Sequence, residues 1–167
     1  MENKTFRVTS NLWATQGQRF VNYIIDWVIQ FGLAVLLLIG VGIVLVAMGD
    51  TAFFERIDNM GKLGEYAFGA VVTLIYYALF EAFLSRTIAK YITKTVVVMA
   101  DGSKPDSGTI IKRTFCRLIP FNAFSFLGDG RGWHDTISDT YVVQKDLFEE
   151  KKRLFYSFEE IGAKEEN

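Results

Sequence analysis

Two stretches of this chain, residues 20–48 and 66–86, are each long and apolar enough to cross a bilayer, yet both contain ionisable side chains. A membrane-spanning helix needs about 20 predominantly apolar residues. The first stretch has no charge from Gly32 to Met48 and carries Asp26 in its other half. It is about twice as long as the apolar region of a cleaved signal peptide, and no small-residue cleavage site follows it, so we expect it to be retained. The pattern predicts an all-α membrane protein with two transmembrane helices.

A third apolar segment, residues 108–127, is interrupted by positive charge. Lys112, Arg113 and Arg117 lie in its first half, and Pro120 follows them. An arginine at the centre of a spanning helix costs about 2.5–3.5 kcal/mol on insertion scales. We therefore predict that this segment is a membrane-associated helix, either re-entrant or interfacial, and not a third span.

The remaining chain predicts a small sheet and a surface helix. Residues 94–99 and 139–144 are short and rich in β-branched side chains, and we expect them to pair as a β-hairpin-like unit in the cytoplasm. Residues 146–167 have the spacing of an amphipathic helix lying on the membrane surface or on the protein body. We assign residues 1–145 to a membrane domain and 146–167 to this tail. The apolar face of the tail comprises Leu147, Leu154, Phe158 and Ile161.

The charge and the rare residues exclude several classes of function. The net charge is −1 and no basic groove with interleaved aromatics is present, so nucleic acid is not an expected partner. Cys116 is the only cysteine and His134 the only histidine, so neither an internal disulfide nor a metal centre is predicted, and no cofactor is expected. His134 and Asp135 adjoin, but no nucleophile motif surrounds Ser138 or Cys116, so we do not expect an enzyme. A hydrogen-bonded loop histidine is the favoured interpretation of His134.

The distribution of positive charge predicts the orientation. The connector 49–66 contains two Lys or Arg residues, whereas segment 85–117 contains seven. Cytoplasmic loops are enriched in these residues. We therefore expect a multi-pass protein of the inner membrane with both termini in the cytoplasm. The seven are Arg86, Lys90, Lys94, Lys104, Lys112, Arg113 and Arg117.

The first span carries a polar stripe. Arg19, Asn22, Asp26 and Gln30 are spaced so that, at 100° per residue, they share one narrow helix face. Such a face is expensive against lipid, so it must contact protein or water. This spacing is the strongest indication of a functional site that the residues alone provide.

A second polar face lies on the other span, where Tyr77, Glu81 and Ser85 are each four residues apart. Together with Arg113 and Arg117 one turn apart in the third segment, they predict a cluster at the cytoplasmic end that Asp135 closes. Three interpretations of the cluster stay open. The charges clamp the helices together, they carry ions or protons through Asp26 and Glu81, or they bind lipid and snorkel to the interface.

The aromatic and small residues of the spans add two expectations. Trp27, Tyr76 and Tyr77 are interpreted as packing or interfacial aromatics and not as a ligand cage. Gly32, Gly40 and Gly42 in the first span, with Gly69 in the second, permit close helix approach. Because two spans make a thin bundle, we expect self-association within the lipid bilayer.

Several segments resemble the RDD family of bacterial membrane proteins, which is named for one arginine and two aspartates. QRFVNYIIDW is similar to the first element of that family, with Arg19 and Asp26 in the matching positions. WHDTISDTYVV is similar to its late histidine–aspartate element, with Asp135 as the second aspartate. The resemblance extends over about residues 14–145.

Two further segments carry the resemblance between these elements. EAFLSRTIAK is similar to the Thr-x-Gly-Lys segment of the family, with Thr87 and Lys90 matching and Ala89 where glycine is usual. DGSKPDSGTIIKRTFCR resembles its Asp-Gly turn and arginine-bearing helix, with Arg113 in that role. Asp139 also stands where the family pattern has glycine. The resemblance implies transport of ions or small ligands, including sodium–proton exchange.

Two hypotheses of function follow. In the first, the protein is transport-related, Asp26 is the carboxylate that binds a monovalent cation or a proton, Arg19 is its modulating partner, and Asp135 is a second acid near the cytoplasmic opening. In the second, the protein is a scaffold or accessory subunit that uses the same charges as clamps and binds a partner protein.

Overall fold

The computed structural model describes residues 5–84, 86–119, 121–128 and 130–165 of the chain. Nine elements organise these residues, with 3₁₀ turns at Ser10–Leu12 and Asn122–Leu127. In chain order they are α1 (Gln16–Ala47), α2 (Phe53–Asp58), α3 (Gly61–Leu84), α4 (Ile88–Ile92), β1 (Thr95–Met99), α5 (Ser107–Cys116), α6 (Trp133–Ile137), β2 (Thr140–Gln144) and α7 (Lys145–Glu165).

Helix α1 begins at a capping box. The hydroxyl of Thr15 accepts from the backbone N–H of Gln18 at 3.2 Å, and the Gln18 side chain accepts from the Thr15 N–H at 2.9 Å. The helix then continues for 32 residues. At 1.5 Å per residue its length of about 48 Å exceeds the bilayer hydrocarbon thickness of about 30 Å. Part of α1 therefore extends beyond the hydrocarbon.

Helices α1 and α3 form an antiparallel hairpin. Gln30 contacts Thr73, and Asp26, which is earlier in α1, contacts Tyr76, which is later in α3. The two helices therefore run in opposite directions. Both helices are long and apolar enough to span a membrane. Only 6% of the most apolar window of α1 is buried inside the protein, unlike a core helix of a soluble protein. The two predicted transmembrane helices are thus present, and most of their apolar surface is not covered by the rest of the protein.

The predicted strands pair as expected. β1 and β2 are antiparallel, with Val97 opposite Val142. The N-terminal segment runs alongside them, since the Ala14 N–H donates to the Val142 carbonyl at 2.9 Å and the Val8 N–H to the Ala100 carbonyl at 2.9 Å. This sheet stands at the end of α1 that carries Arg19, Asn22 and Asp26. The N-terminal end of α1 therefore packs near this sheet.

The third apolar segment is shorter as a helix than predicted. A continuous helix was expected over residues 108–127, but α5 ends at Cys116 and a 3₁₀ turn follows at Asn122–Leu127. Phe121, between them, has φ of 64°, a left-handed conformation that an α-helix does not contain. Pro120, the predicted interruption, lies outside the described residues. The break bends the chain so that α5 and the 3₁₀ turn contact different parts of the site.

The tail is one helix, α7. Phe148 and Phe155 pack edge-on against Phe6, with ring centroids 5.8 and 5.7 Å away. Leu154 and Phe158, which belong to the predicted apolar face, are exposed and do not pack into the protein body. The N-terminal segment supplies an apolar surface for α7 that the helical spacing alone does not reveal. The side chain of Ile161 lies outside what the structure describes.

Candidate functional site

Asp26 lies within α1 and is 2% exposed. One carboxylate oxygen accepts from the Tyr76 hydroxyl at 2.7 Å and the other from the Thr87 hydroxyl at 2.8 Å. Within the described part of the chain, Asp26 forms no ion pair. A buried carboxylate is therefore held by two neutral hydroxyl groups alone.

Local structure fixes the two hydroxyl groups. Thr87 is the N-cap of α4, and its oxygen also accepts from the backbone N–H of Lys90 at 3.5 Å. This hydroxyl therefore uses its lone pair for the cap and its hydrogen for Asp26. Tyr76 is buried on α3 and donates to the other carboxylate oxygen of Asp26. The short helix α4 was not predicted, and it is the element that brings Thr87 to the first span.

The other neutral members of the α1 stripe also meet partners. The Asn22 amide donates to the Thr95 hydroxyl at 3.1 Å, and its oxygen accepts from Thr93 at 2.6 Å. Gln30 accepts from the Thr73 hydroxyl at 2.9 Å. Asn22 thus ties α1 to the start of β1, and Gln30 ties it to α3. The stripe faces protein at each level, as predicted.

Glu81, on α3, gathers three cations. One of its oxygens accepts from Lys90 at 2.5 Å and from Arg117 at 2.7 Å, and Arg113 lies 3.3 Å from both oxygens. Arg117 also stacks on the ring of Tyr77, with its guanidinium carbon 3.7 Å from the centroid. The predicted association of Glu81 with Arg113 and Arg117 is present.

Asp135 completes the charged network from α6. It accepts from Arg19 at 2.5 Å and from Arg113 through its other oxygen. Arg113 is wholly buried and links Asp135 on α6 to Glu81 on α3, and Asp135 in turn links Arg113 to Arg19 on α1. We call the six residues Arg19, Glu81, Lys90, Arg113, Arg117 and Asp135 the charged cluster.

The electrostatics of the charged cluster depend on its burial. Burial lowers the pKa of Lys90 to about 8, although Glu81 opposes this shift. Burial alone would raise the pKa of Asp135, but Arg113 and Arg19 hold it well below its usual range. Asp135 is consequently ionised at neutral pH, whereas Lys90 exchanges its proton within reach of neutral pH.

His134 is buried in the short helix α6 and not in a loop. Its Nδ1 lies 3.0 Å from the Asn122 side-chain oxygen, which also accepts the His134 backbone N–H at 3.1 Å. Burial lowers its pKa well below 6.5. The histidine is therefore a neutral, hydrogen-bonded structural group, in keeping with the hydrogen-bonded interpretation of it. No group of three metal-ligating side chains occurs among the described residues.

This environment gives a prediction for the pH dependence of stability. The unfolded chain takes up a proton at His134 near pH 6.5, but the folded chain does so only at much lower pH. The contribution of His134 to stability is thus complete above pH 6.5 and is lost as the pH falls, with a slope of up to about 1.4 kcal/mol per pH unit. Asp135 adds a second loss of stability below pH 3.8, which is the ordinary pKa of an aspartate side chain.

Chemical denaturation in detergent between about pH 3 and about pH 8 measures both declines. His134 is the only histidine, so His134→Gln should remove the decline that begins at pH 6.5 and leave the acid one. An identical decline in His134→Gln would contradict the assignment.

A cavity of about 1000 Å³ lies between α1 and α3 and reaches the charged cluster. Asp26, Gln30 and Thr73 line its middle. Lys62 and Glu65 line it near the start of α3, and Arg19 and Asn22 line it near the start of α1. Because the helices are antiparallel, these two groups lie at opposite ends of the hairpin. The cavity therefore follows the length of the two spans.

The structure changes one predicted pairing. Arg19 was expected to partner Asp26, but it pairs with Asp135 instead. The cause is the position of α6, which brings Asp135 to the level of Arg19, whereas Asp26 lies two turns further along α1 beside Tyr76. The second predicted acid, Asp135, is fully buried and held by two arginines. Ser85, predicted on the polar face of α3, lies outside the described residues.

Sequence reasoning missed two contributors to the site. Tyr76 was interpreted as a packing aromatic, although its hydroxyl binds Asp26. No role was predicted for Asn122, although its side-chain oxygen contacts His134. Each residue lies on a different element from its partner, so the helical periodicity of the sequence does not predict either contact. A buried tyrosine in a span, with a hydroxyl that requires a partner, is the one available hint for Tyr76.

The family model for RDD proteins matches residues 13–139, which include both spans, the charged cluster and Asp26. The chain belongs to the RDD family. The resemblance noted in the sequence is thereby confirmed, and with two apolar helices it identifies a membrane protein. No curated protein and no solved structure matches the chain.

The two departures of this RDD protein from the family pattern have different structural settings. Asp139 has φ of 51°, the left-handed conformation that glycine adopts freely and that aspartate tolerates better than most residues. Ala89 is completely buried in α4 with ordinary helical geometry. The glycine usual at position 139 is thus explained by the backbone. For position 89 the structure supplies no such reason.

Proposed function

We propose that this RDD protein moves a proton or a monovalent cation across the membrane, with Asp26 as the carboxylate that binds and releases it. The observation that carries the proposal is the pairing of Asp26 with two hydroxyl groups, while both acids of the charged cluster, Glu81 and Asp135, are paired with cations. A charge at membrane depth without a counter-ion is expensive, and such residues mark ion and proton routes. Asp26 is the acid free to accept a cation.

The surroundings of Asp26 suit this role. Hydroxyl and amide oxygens of Tyr76, Thr87 and Gln30 lie on the same side of α1, and oxygen ligands are those that hard cations prefer. The cavity extends from Asp26 past Gln30 and Thr73 towards Glu65. Lys90 also lines this cavity, and its pKa of about 8 makes it a second group able to exchange a proton there.

In this proposal the charged cluster has a structural task. It joins α1, α3, α4, α5 and α6 and leaves Asp26 outside the ion pairs. Arg19 therefore acts on Asp26 only through the position of α1. The cavity is open between two helices, and two helices do not enclose a path. Self-association, in which a second copy covers the open side, is part of the proposal.

The orientation belongs to the same proposal. Both termini and the charged cluster face the cytoplasm of a cell with an inner membrane, following the excess of Lys and Arg at that end. The segment containing α5 and the 3₁₀ turn lies in the interface, which its exposed apolar side chains favour. These side chains are Ile111, Phe115, Leu118, Ile119, Phe121, Phe124 and Leu127.

The direct experiment is flux in proteoliposomes. The purified full chain is reconstituted, a pH gradient or a Na⁺ gradient is imposed, and internal pH and Na⁺ are followed with fluorescent dyes. We expect dissipation faster than in protein-free vesicles and faster at pH 8 than at pH 6 if Lys90 takes part. Rates equal to those of protein-free vesicles for both ions would exclude transport of protons and Na⁺.

A scaffold or accessory role is the second candidate. It is favoured by the extent of ion pairing in the charged cluster, in which two carboxylates meet four cations and join five helices. Such a clamp holds a membrane domain together without moving any ligand, and leaves the exposed face of α7 for a partner protein. Gentle solubilisation followed by size exclusion distinguishes the two candidates. A stoichiometric partner together with no flux would favour the scaffold.

A further inference from the structure

The charged cluster contains more positive than negative charge. Four cations, Arg19, Lys90, Arg113 and Arg117, face two carboxylates, Glu81 and Asp135. Counting Asp26 as a third negative charge still leaves an excess of one positive charge. Buried like charges raise the energy of the folded state unless a counter-ion is present. The cluster is thus one or two negative charges short of neutrality.

The guanidinium groups also have unused hydrogen-bond donors. Nε and Nη2 of Arg19, Nε of Arg113 and Nε of Arg117 are buried from water and have no acceptor. A buried donor without an acceptor costs about 1–3 kcal/mol, and more when the group is charged. Arg19 and Arg113 are each more than nine-tenths buried. These donors require an acceptor that carries negative charge.

All three arginines line the same cavity, and Lys90 and His134 line it beside them. The cavity wall continues through Leu118, Ile119 and Phe121, which are apolar and exposed. The side chains that carry the donors without an acceptor are therefore themselves part of the cavity wall. The donors, the charge excess and an apolar margin therefore converge at one end of the cavity.

We propose that this end of the cavity is a binding site for an anionic phosphate group, and specifically for the headgroup of an anionic phospholipid. Arginine forks match phosphate oxygens in pairs, and charge-assisted hydrogen bonds of this kind are among the strongest in proteins. The phosphate accepts from the free donors of Arg19 and Arg117. Its charge neutralises the excess of the cluster.

The depth of the cluster favours a lipid as the source of the phosphate. If the apolar end of α1 fills about 30 Å of hydrocarbon, about 20 residues back from Ala47, Asp26 lies at the edge of the hydrocarbon and the residues before it lie at headgroup level. Arg19 is among them. The acyl chains then pass along the apolar margin formed by Leu118, Ile119 and Phe121. A free phosphate has the same chemistry as the headgroup but has no acyl chains to contact this apolar margin.

Native mass spectrometry of the full chain, released from mixed nanodiscs of phosphatidylglycerol and phosphatidylcholine, tests the site. We expect one phosphatidylglycerol retained per chain in preference to phosphatidylcholine. Arg117→Gln should weaken retention at least about tenfold, since one charge-assisted contact is lost. Glu81 keeps Arg113 and Lys90 in this variant, so the fold is maintained, and thermal unfolding in detergent checks this. Lys112→Gln is the matched control, because Lys112 is exposed on the same helix.

Inorganic phosphate, added to 10-fold excess over lipid, distinguishes the two sources. Lipid retention that persists supports the headgroup site, whereas displacement supports a site for soluble phosphate with the same chemistry. Equal retention of both lipids, or equal loss in Arg117→Gln and Lys112→Gln, would overturn the proposal. Flux through Asp26 is measured separately, so the failure of transport and the failure of anion binding are distinguishable.

Discussion

Replacing Asp135 with asparagine is expected to lower the free energy of unfolding by about 3–5 kcal/mol. The substitution keeps the size of the side chain and the acceptor for the Gly132 N–H, but it removes one negative charge from a cluster that already has an excess of positive charge. Arg19 loses its counter-ion, and Arg113 keeps only Glu81. Two guanidinium groups are then left in a buried site with one carboxylate fewer. Denaturation in detergent at neutral pH measures the change.

Asp139→Asn is the matched control for this prediction. It makes the same chemical change four residues away, at an exposed position whose φ of 51° suits asparagine. We expect its stability to stay within about 0.5 kcal/mol of the parent. Adding Arg19→Gln to Asp135→Asn should restore part of the stability, because the second substitution removes the uncompensated cation. Equal stability of Asp135→Asn and Asp139→Asn would show that the charged cluster does not hold the helices together.

Replacing Asp26 with asparagine is expected to reduce ion flux to the rate of protein-free vesicles. Asparagine is similar in size and still accepts one hydrogen bond from Tyr76 or Thr87, but it takes up no proton near neutral pH and has no negative charge to hold a cation. Asp26→Glu keeps the charge in a site that is 2% exposed, so partial flux is expected. The assay is the same dye measurement in proteoliposomes, with reconstituted protein quantified for each variant. Asp58→Asn, at an exposed position of α2, controls for the loss of a negative charge.

The scaffold hypothesis makes the opposite prediction for Asp26→Asn. Under it, the hydroxyl contacts of Asp26 serve only to hold α1, α3 and α4 together, so the variant lowers the yield of folded protein. Normal yield with abolished flux would support the carrier. Reduced yield with unchanged flux per folded molecule would support the scaffold and remove Asp26 from the proposed route.

Much of this architecture is predictable from the residues because it depends on local energetics. Uninterrupted apolar runs predict the two long helices, since a backbone in hydrocarbon must satisfy its own hydrogen bonds. The spacing of Arg19, Asn22 and Asp26 predicts a shared face by helix geometry alone. The β-branched runs predict the two strands. Each of these features needs only a short stretch of chain and its solvent.

What the sequence by itself determined was which face of α1 turns inward. The tertiary structure decided what that face meets at each level: α6 at Arg19, β1 at Asn22, α3 and the cap of α4 at Asp26. The reason is that helical spacing sets the direction of a side chain, whereas its partner depends on how distant segments pack. The separation of Asp26 from the arginines therefore depends on the packing of α4 and α6 against the first span, which the sequence does not reveal.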